Sequence, residues 1–536
     1  MKGYYIVFGS IILLAAALRL FQLGVVPGGV THDELGYIYN VFSIAKTGKN
    51  VFGESFPFIT WMVSGGFPFL PVPIYLAAPI FWFLPLSGFS GRLLPALLGI
   101  ADVLLVYFIV KQLFKHTPLA LLSALFLAIS PWHLHFSRSA YDANYSLFFF
   151  LLGIAAFLYE IQKKRLPVIS ISSFLFALFS YRGMNAMFPA LVLLLIWYGA
   201  RALTISKKQL AAFIIGILAI SLALVIVIAM YGKPYVAEAN IFGNSKMQQD
   251  IDTQIREAGG PLWVRRLFLN KATYIANTLR ENYVRPFSPE FLFLYSEPSK
   301  IYSIWSRGRV YFLDLFFIML GIVYLLKLEK RAALFTIGLF LMGGLPSMIG
   351  GYPYSSRNLF IAAIVPIFVA GGSLFLYNLF RLRNLRFLIV AGMLVSYAYV
   401  FGSYLFDYYG RYALYAGEAW AKSLKDISIL IEKEKGQYDA VVVGTASFGD
   451  FVQYAFYAKV HPAEVQQVWA GRIQDLQGPT FRIGKGSFIP GCFTYTKEAK
   501  KVLYIVRDNC EVAASPSSIV RDYPGNPLWD VYSLHP

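Results

Sequence analysis

Thr31-His32-Asp33-Glu34-Leu35-Gly36-Tyr37 follows the first strongly apolar segment and sets two adjacent acids just past its end. Acids at the edge of a bilayer are costly and seldom kept without a use. Asp33 is therefore read as the reactive centre of a membrane enzyme. Thr31 to Glu34 also fits a capping box, so an interfacial helix start is the plainer alternative.

The chain around this stretch supports a membrane setting. Of 536 residues, 57% are hydrophobic, 17% aromatic and only 14% charged, where a soluble chain has about 25% charged residues. Mean hydropathy is +0.57. The net charge of +18 fits Lys and Arg gathered in cytoplasmic loops. No basic module or RNA-binding motif is visible, so nucleic acid is not expected as a partner.

Apolar runs of the length a span needs, about 20 residues, fall near 4–22, 92–113, 118–134, 145–161, 166–181, 184–200, 210–231, 310–327, 333–349, 358–379 and 387–406. Residues 4–22 lack a clear cleavage site and are read as a retained helix. Basic loops at Lys111 to Lys115, Lys163 to Arg165, Arg201 to Lys208, Lys327 to Arg331 and Arg381 to Arg386 recur at every second connection. Those loops, and the N-terminus, are expected in the cytoplasm. This holds if residues 73–86 form a re-entrant or interfacial helix. The prediction is a polytopic α-helical membrane protein of about 11 spans.

The outer face then carries the loops 23–91 and 232–309, the short links at His133–Asp142, Tyr181–Gly183 and Gly350–Asn358, and the tail. Within 232–309, Asn240 to Glu257 is polar, and Pro261 to Arg280 reads as an amphipathic helix at the membrane surface. Tyr438 to Gly444 and Lys501 to Val506 read as buried strands, with Gly417 to Lys435 as an amphipathic helix. These predict a small extracytoplasmic α/β domain over 407–536, beside a transmembrane catalytic domain over 1–406. Cys492 and Cys510 can pair if that tail lies outside.

The outer-face residues suit a particular chemistry. Moving a sugar from a lipid phosphate to a hydroxyl needs a base, and a partly desolvated carboxylate serves. The phosphate leaving group needs fixed positive charge, which Arg supplies bidentately. Asp33, Glu34 and Asp142 are the candidate acids, and Arg182, Arg357 and Arg138 the candidate phosphate or substrate ligands, with Tyr37 and Tyr181 as lining. The plainer alternatives are an N-cap for Asp142, snorkelling for Arg182, Arg357 and Arg19, pairing of Arg138 with Asp142, and an interfacial belt for the tyrosines. Asp33, Asp142 and His32 could share a divalent cation, Mg or Mn.

At these residues the chain resembles the GT-C superfamily of membrane glycosyltransferases. Its nearest branches are the protein O-mannosyltransferases, the aminoarabinose transferase of lipid A and the bacterial transferases of the RgtA-to-D type. The resemblance spans about residues 1–405. It rests on His32-Asp33-Glu34, Ser137 to Asn144 before Phe148-Phe149-Phe150, Tyr181-Arg182-Gly183, and Ser356-Arg357-Asn358 running on to Pro366. Pro71-Val72-Pro73 stands where the group often has Pro-Pro. The resemblance implies an inverting transferase that takes its sugar from a polyprenyl phosphate and gives it to a glycan, lipid or protein acceptor. Asp33 would be the base, Glu34 and Asp142 would support the acceptor or a metal, and Arg182 and Arg357 would hold the lipid phosphate. A flippase of lipid-linked sugars, with Asp102 in its path, and a glycan ligase or polymerase are the rival readings.

Overall fold

The structure is a computed structural model and describes residues 2–63, 68–231, 246–295, 297–304, 307–351, 354–475, 478–492, 501–507 and 510–534. The expected polar stretch from Asn240 begins outside the described residues. The chain divides into two compact units. One comprises Met1–Arg19, Leu97–Ser137 and Asp142–Phe401; the other comprises Leu20–Ala96, Arg138–Tyr141 and Gly402–Pro536. This division differs from a boundary at 406, because Leu20–Ala96 is grouped with the tail.

The first unit is helical. Among the described residues of the whole chain, eight helices are long and apolar enough to cross a membrane, or up to nine if the bent pair Thr117–Ala128 and Pro131–Ser137 is one span. The expected eleven are not reached. Residues 166–181 yield only Val168–Leu178, of 11 residues, and 310–327 yields Asp314–Leu328, of 15 residues. At about 1.5 Å per residue both fall short of the roughly 30 Å hydrocarbon core. Apolar composition runs past the helix ends there. Leu359–Leu379 forms the core, with 83% of its span buried. It meets Asp314–Leu328 through two glycines: a Cβ on Gly321 would stand 1.9 Å from the Phe368 carbonyl oxygen, and one on Gly372 2.1 Å from that of Phe317. Small residues let two backbones approach this closely where lipid offers no hydrophobic drive.

The amphipathic stretch from Pro261 is two helices, Leu262–Phe268 and Lys271–Val284. Asn270 divides them, since its side chain accepts the Ala272 and Thr273 amides and starts the second helix. Leu262, Trp263, Leu267 and Phe268 are exposed.

The second unit is built on a seven-stranded mixed sheet. Its spatial order is Ile473–Asp475, Gly478–Ile483, Gly486–Phe488, Ala440–Val443, Val502–Arg507, Pro527–Leu534 and Ser518–Arg521. Ala440–Val443 pairs parallel with both neighbours, as a short all-apolar strand buried on two faces should. Val442, Val502, Tyr504, Val506 and Tyr532 form a core on it. Helix Phe448–Tyr457 packs on Lys422–Glu434 and on His32–Thr47. Cys492 and Cys510 form a disulfide. Residues 71–83 form two short helices, Pro71–Ala77 and Ile80–Phe83, too short together to cross.

Candidate active site

The acidic pair opens helix His32–Thr47. Thr31 is its N-cap: the Thr31 hydroxyl accepts the Glu34 amide at 3.1 Å. The Tyr141 hydroxyl lies 3.3 Å from the same oxygen. Asp33 and Glu34 both stand in the first turn, where free backbone amides favour negative charge.

The two acids have different surroundings. Glu34 is fully buried. Its carboxylate takes a fork from Arg92, Nε to Oε1 and Nη2 to Oε2, both at 2.7 Å. Oε1 also accepts the Ala140 amide at 2.8 Å. Only the Thr31 half of the capping box forms, since Glu34 turns to Arg92. Asp33, one residue earlier, is half-buried, and His32 is exposed.

Arg92 was not among the expected site residues. It stands at the very start of the second apolar run, so hydropathy gave it only a depth. It spends its three remaining N–H groups on the carbonyls of Leu23, Pro27 and Gly29, at 3.3, 3.2 and 2.6 Å.

Arg138 and Tyr37 are also enclosed. Arg138 is fully buried. It donates to the carbonyls of Phe21 (2.8 Å) and Val26 (3.2 Å) and to the Tyr408 hydroxyl (3.2 Å), and its guanidinium lies 5.3 Å from the Tyr408 and Tyr409 ring centres. Tyr37 donates to the Pro73 carbonyl at 2.8 Å.

The other expected residues belong to the first unit. Asp142 is half-buried and opens helix Asp142–Gln162. Tyr181 and Arg182 are half-buried, and Arg182 begins the 3-10 turn Arg182–Met187. Arg357 is half-buried on a turn before helix Leu359–Leu379. It lies 5.0 Å from the Tyr354 ring centre and donates to the Gly350 carbonyl. That turn is held from outside. Glu297 accepts the Ser355 hydroxyl and the Arg309 guanidinium, and the Trp132 indole donates to the Ser355 carbonyl at 3.2 Å. Burial raises the Glu297 carboxyl above its ordinary range, against the pull of Arg309.

Arg19, expected to snorkel, instead turns inward and is fully buried. It donates to His133 Nδ1 at 2.8 Å and to the Ala128 carbonyl at 3.2 Å. His133 Nε2 in turn faces Asp102 Oδ2 at 3.1 Å. Asp102 is thus part of a buried network.

For a cation at His32, Asp33 and Asp142, among the described residues no three His, Cys, Asp or Glu side chains gather where one ion could be held. A separate polar cleft of about 660 Å³ lies after the helix Lys207–Tyr231, walled by Gln249, Asp250, Tyr274, Asn277 and Glu281 among others.

Comparison with known proteins agrees with the sequence resemblance. Residues 10–177 match the family of dolichyl-phosphate-mannose-protein mannosyltransferases. A search of curated proteins returns no match. The crystal structure of ArnT from Cupriavidus metallidurans bound to undecaprenyl phosphate shares the fold, with a TM-score of 0.55 at 13% identity over 99% of this chain and 98% of that one. The apo oligosaccharyltransferase of Archaeoglobus fulgidus gives a TM-score of 0.52 at 15% identity over 85% of this chain. The archaeal oligosaccharyltransferase AglB from Archaeoglobus fulgidus, in complex with an inhibitory peptide and a dolichol phosphate, gives 0.50 at 14% identity over 85% of this chain. This chain spans 64% and 63% of the chains in those two structures.

Proposed function

We propose that the chain is an integral membrane glycosyltransferase of the GT-C superfamily, a reading supported by the match over residues 10–177 and by the shared fold, and that it transfers a sugar from a polyprenyl-phosphate donor to a hydroxyl acceptor outside the cytoplasm, with inversion. The observation that carries this is the treatment of the acidic pair. Glu34 is locked by Arg92 and Ala140, which fixes the first helical turn and holds Asp33 half-buried at its edge. A carboxylate so held can take an acceptor proton.

In this mechanism the acceptor oxygen attacks the anomeric carbon as its proton passes to Asp33. The bond from that carbon to the phosphate oxygen breaks, and the polyprenyl phosphate leaves with the electron pair. Arg182 and Arg357 neutralise the charge that develops on it. Asp142 orients the acceptor. Glu34 and Arg138 act as positioning residues, since both are buried and engaged. The N-terminus and basic loops face the cytoplasm, and the first outer loop and tail face outward. Among the described residues His32, Asp33 and Asp142 do not gather as a cation site, and none of these steps is assigned to Mg or Mn. The lipid phosphates bound in ArnT and AglB, undecaprenyl phosphate and dolichol phosphate, support a polyprenyl carrier here. The acceptor is a glycan, lipid or protein hydroxyl.

The flippase reading rests on Asp102 as a path residue. Its bond to His133 within a buried network favours a structural role. The test uses membranes with wild type or Asp33→Asn, supplied with radiolabelled polyprenyl-phosphate sugars. Wild type should consume donor, and Asp33→Asn should do so about 10²- to 10⁴-fold more slowly. Equal rates would remove Asp33 from the centre, and donor crossing the bilayer without consumption would restore the flippase. A chelator added to wild type reads the cation requirement.

A further inference from the structure

The three carbonyls just before the N-cap of the Asp33 helix are each taken by a different side chain. Gly28 accepts Lys425 Nζ at 3.2 Å, Gly29 accepts Arg92 at 2.6 Å, and Val30 accepts Gln453 Nε2 at 3.1 Å. Two of the three donors come from the tail, about 400 residues on. A Cβ on Gly29 would stand 1.9 Å from the Trp420 carbonyl oxygen, so tail backbone also presses on the loop there. Gln453 is fully buried on helix Phe448–Tyr457. The next residue in the loop is Thr31, the cap that starts the helix.

We infer that Gln453 is a positioning residue for Asp33, and that the tail is a working part of the active site rather than an appended module. The inference rests on the proposed role of Asp33 as base. A loop of Gly28-Gly29-Val30 has little stiffness of its own. Its path into the cap must be imposed from outside, and Gln453 imposes it at the last carbonyl. A buried carbonyl left without a donor would shift toward another partner, and Thr31 and Asp33 would move with it. Reaction depends steeply on such placement, with about 1 Å worth a hundredfold.

A second tail contact provides the control. Gln466 Nε2 donates to the Ser43 and Thr47 hydroxyls at 3.0 and 2.9 Å, at the far end of the same helix. Losing it loosens the docking of the tail without touching the cap.

The experiment compares wild type, Gln453→Met, Lys425→Met, Gln466→Ala and Asp33→Asn as full-length purified proteins, with rates normalised to the folded fraction. Gln453→Met should lower kcat about ten- to a hundredfold and leave the donor KM within about twofold. Lys425→Met, which is closer to the surface, should lower kcat less and serves if Gln453→Met does not fold. Gln466→Ala should keep the wild-type kcat. Wild-type kcat in Gln453→Met, or in Lys425→Met where only that protein folds, overturns the inference. So does an equal loss in Gln466→Ala, which would make the effect one of docking alone. If Asp33→Asn is inactive in those cases, the transferase reading survives. A wild-type rate in Asp33→Asn sinks the base assignment, and this inference with it.

Discussion

Asp33 and Glu34 are neighbours in sequence, yet burial separates their roles. A carboxylate taken fully out of water is tolerated only with complete compensation, and Arg92 supplies it with all five of its N–H donors in use. Lys has three donors and no fork. Arg92→Met should therefore cost about 3–5 kcal/mol of stability, and Arg92→Lys less, read from thermal unfolding of the purified protein. Glu297 makes a pH-dependent prediction. Its folded pKa lies above its ordinary value of 4.5 because of burial, so the folded state holds the proton more tightly. The stability it gives is full below about pH 4.5 and is lost as pH rises through the folded value. Melting temperature should fall across that window in wild type, and the fall should shrink in Glu297→Gln. The acids were legible in the sequence because charge beside an apolar run stands out. Arg92 and Glu297 were not, because a residue's depth says nothing of which partners reach it from elsewhere in the chain.

The bent pair Thr117–Ala128 and Pro131–Ser137 shows the same limit for elements. Its apolar run reads as one span, but the two helices meet at 59°. Pro131 has no N–H to give and crowds the preceding turn. The break leaves carbonyls that lipid cannot satisfy. Arg19 reaches those of Leu127 and Ala128, and the Tyr311 hydroxyl donates to Ile129 at 2.7 Å. This accounts for an arginine inside the first apolar segment better than snorkelling does. Arg19→Met removes the donor to Ala128 and the partner of His133 at once. It should lower stability by about 1–3 kcal/mol, visible as a lower melting temperature in detergent. Arg19→Lys should recover only part of that loss. Hydropathy counts apolar residues, and a proline break with its helpers elsewhere in the chain changes that count little.

At the scale of the whole molecule, the tail was legible as strands and helices, and its union with Leu20–Ala96 was not. Ala440–Val443 and Val502–Arg507 announce themselves as apolar runs, whereas Gln453, Lys425 and Gln466 look like ordinary surface residues until their partners are known. The proposed orientation places this unit outside the cytoplasm, and the disulfide makes that testable. Cys492 and Cys510 are the only cysteines in the sequence and are bonded to each other, as thiols in an oxidising compartment can be and cytosolic ones seldom are. Closing a loop with a sequence separation of 18 is worth about 3 kcal/mol, so reduction should lower the unfolding temperature of the tail by a measurable step. In intact cells a membrane-impermeant thiol reagent should label the wild type only after mild reduction. A Lys163→Cys variant that also carries Cys492→Ser and Cys510→Ser places one thiol in a basic loop and should be labelled only after the membrane is opened. The reverse pattern would put Asp33 on the cytoplasmic side and would reject an extracytoplasmic acceptor, whatever the chemistry of the site.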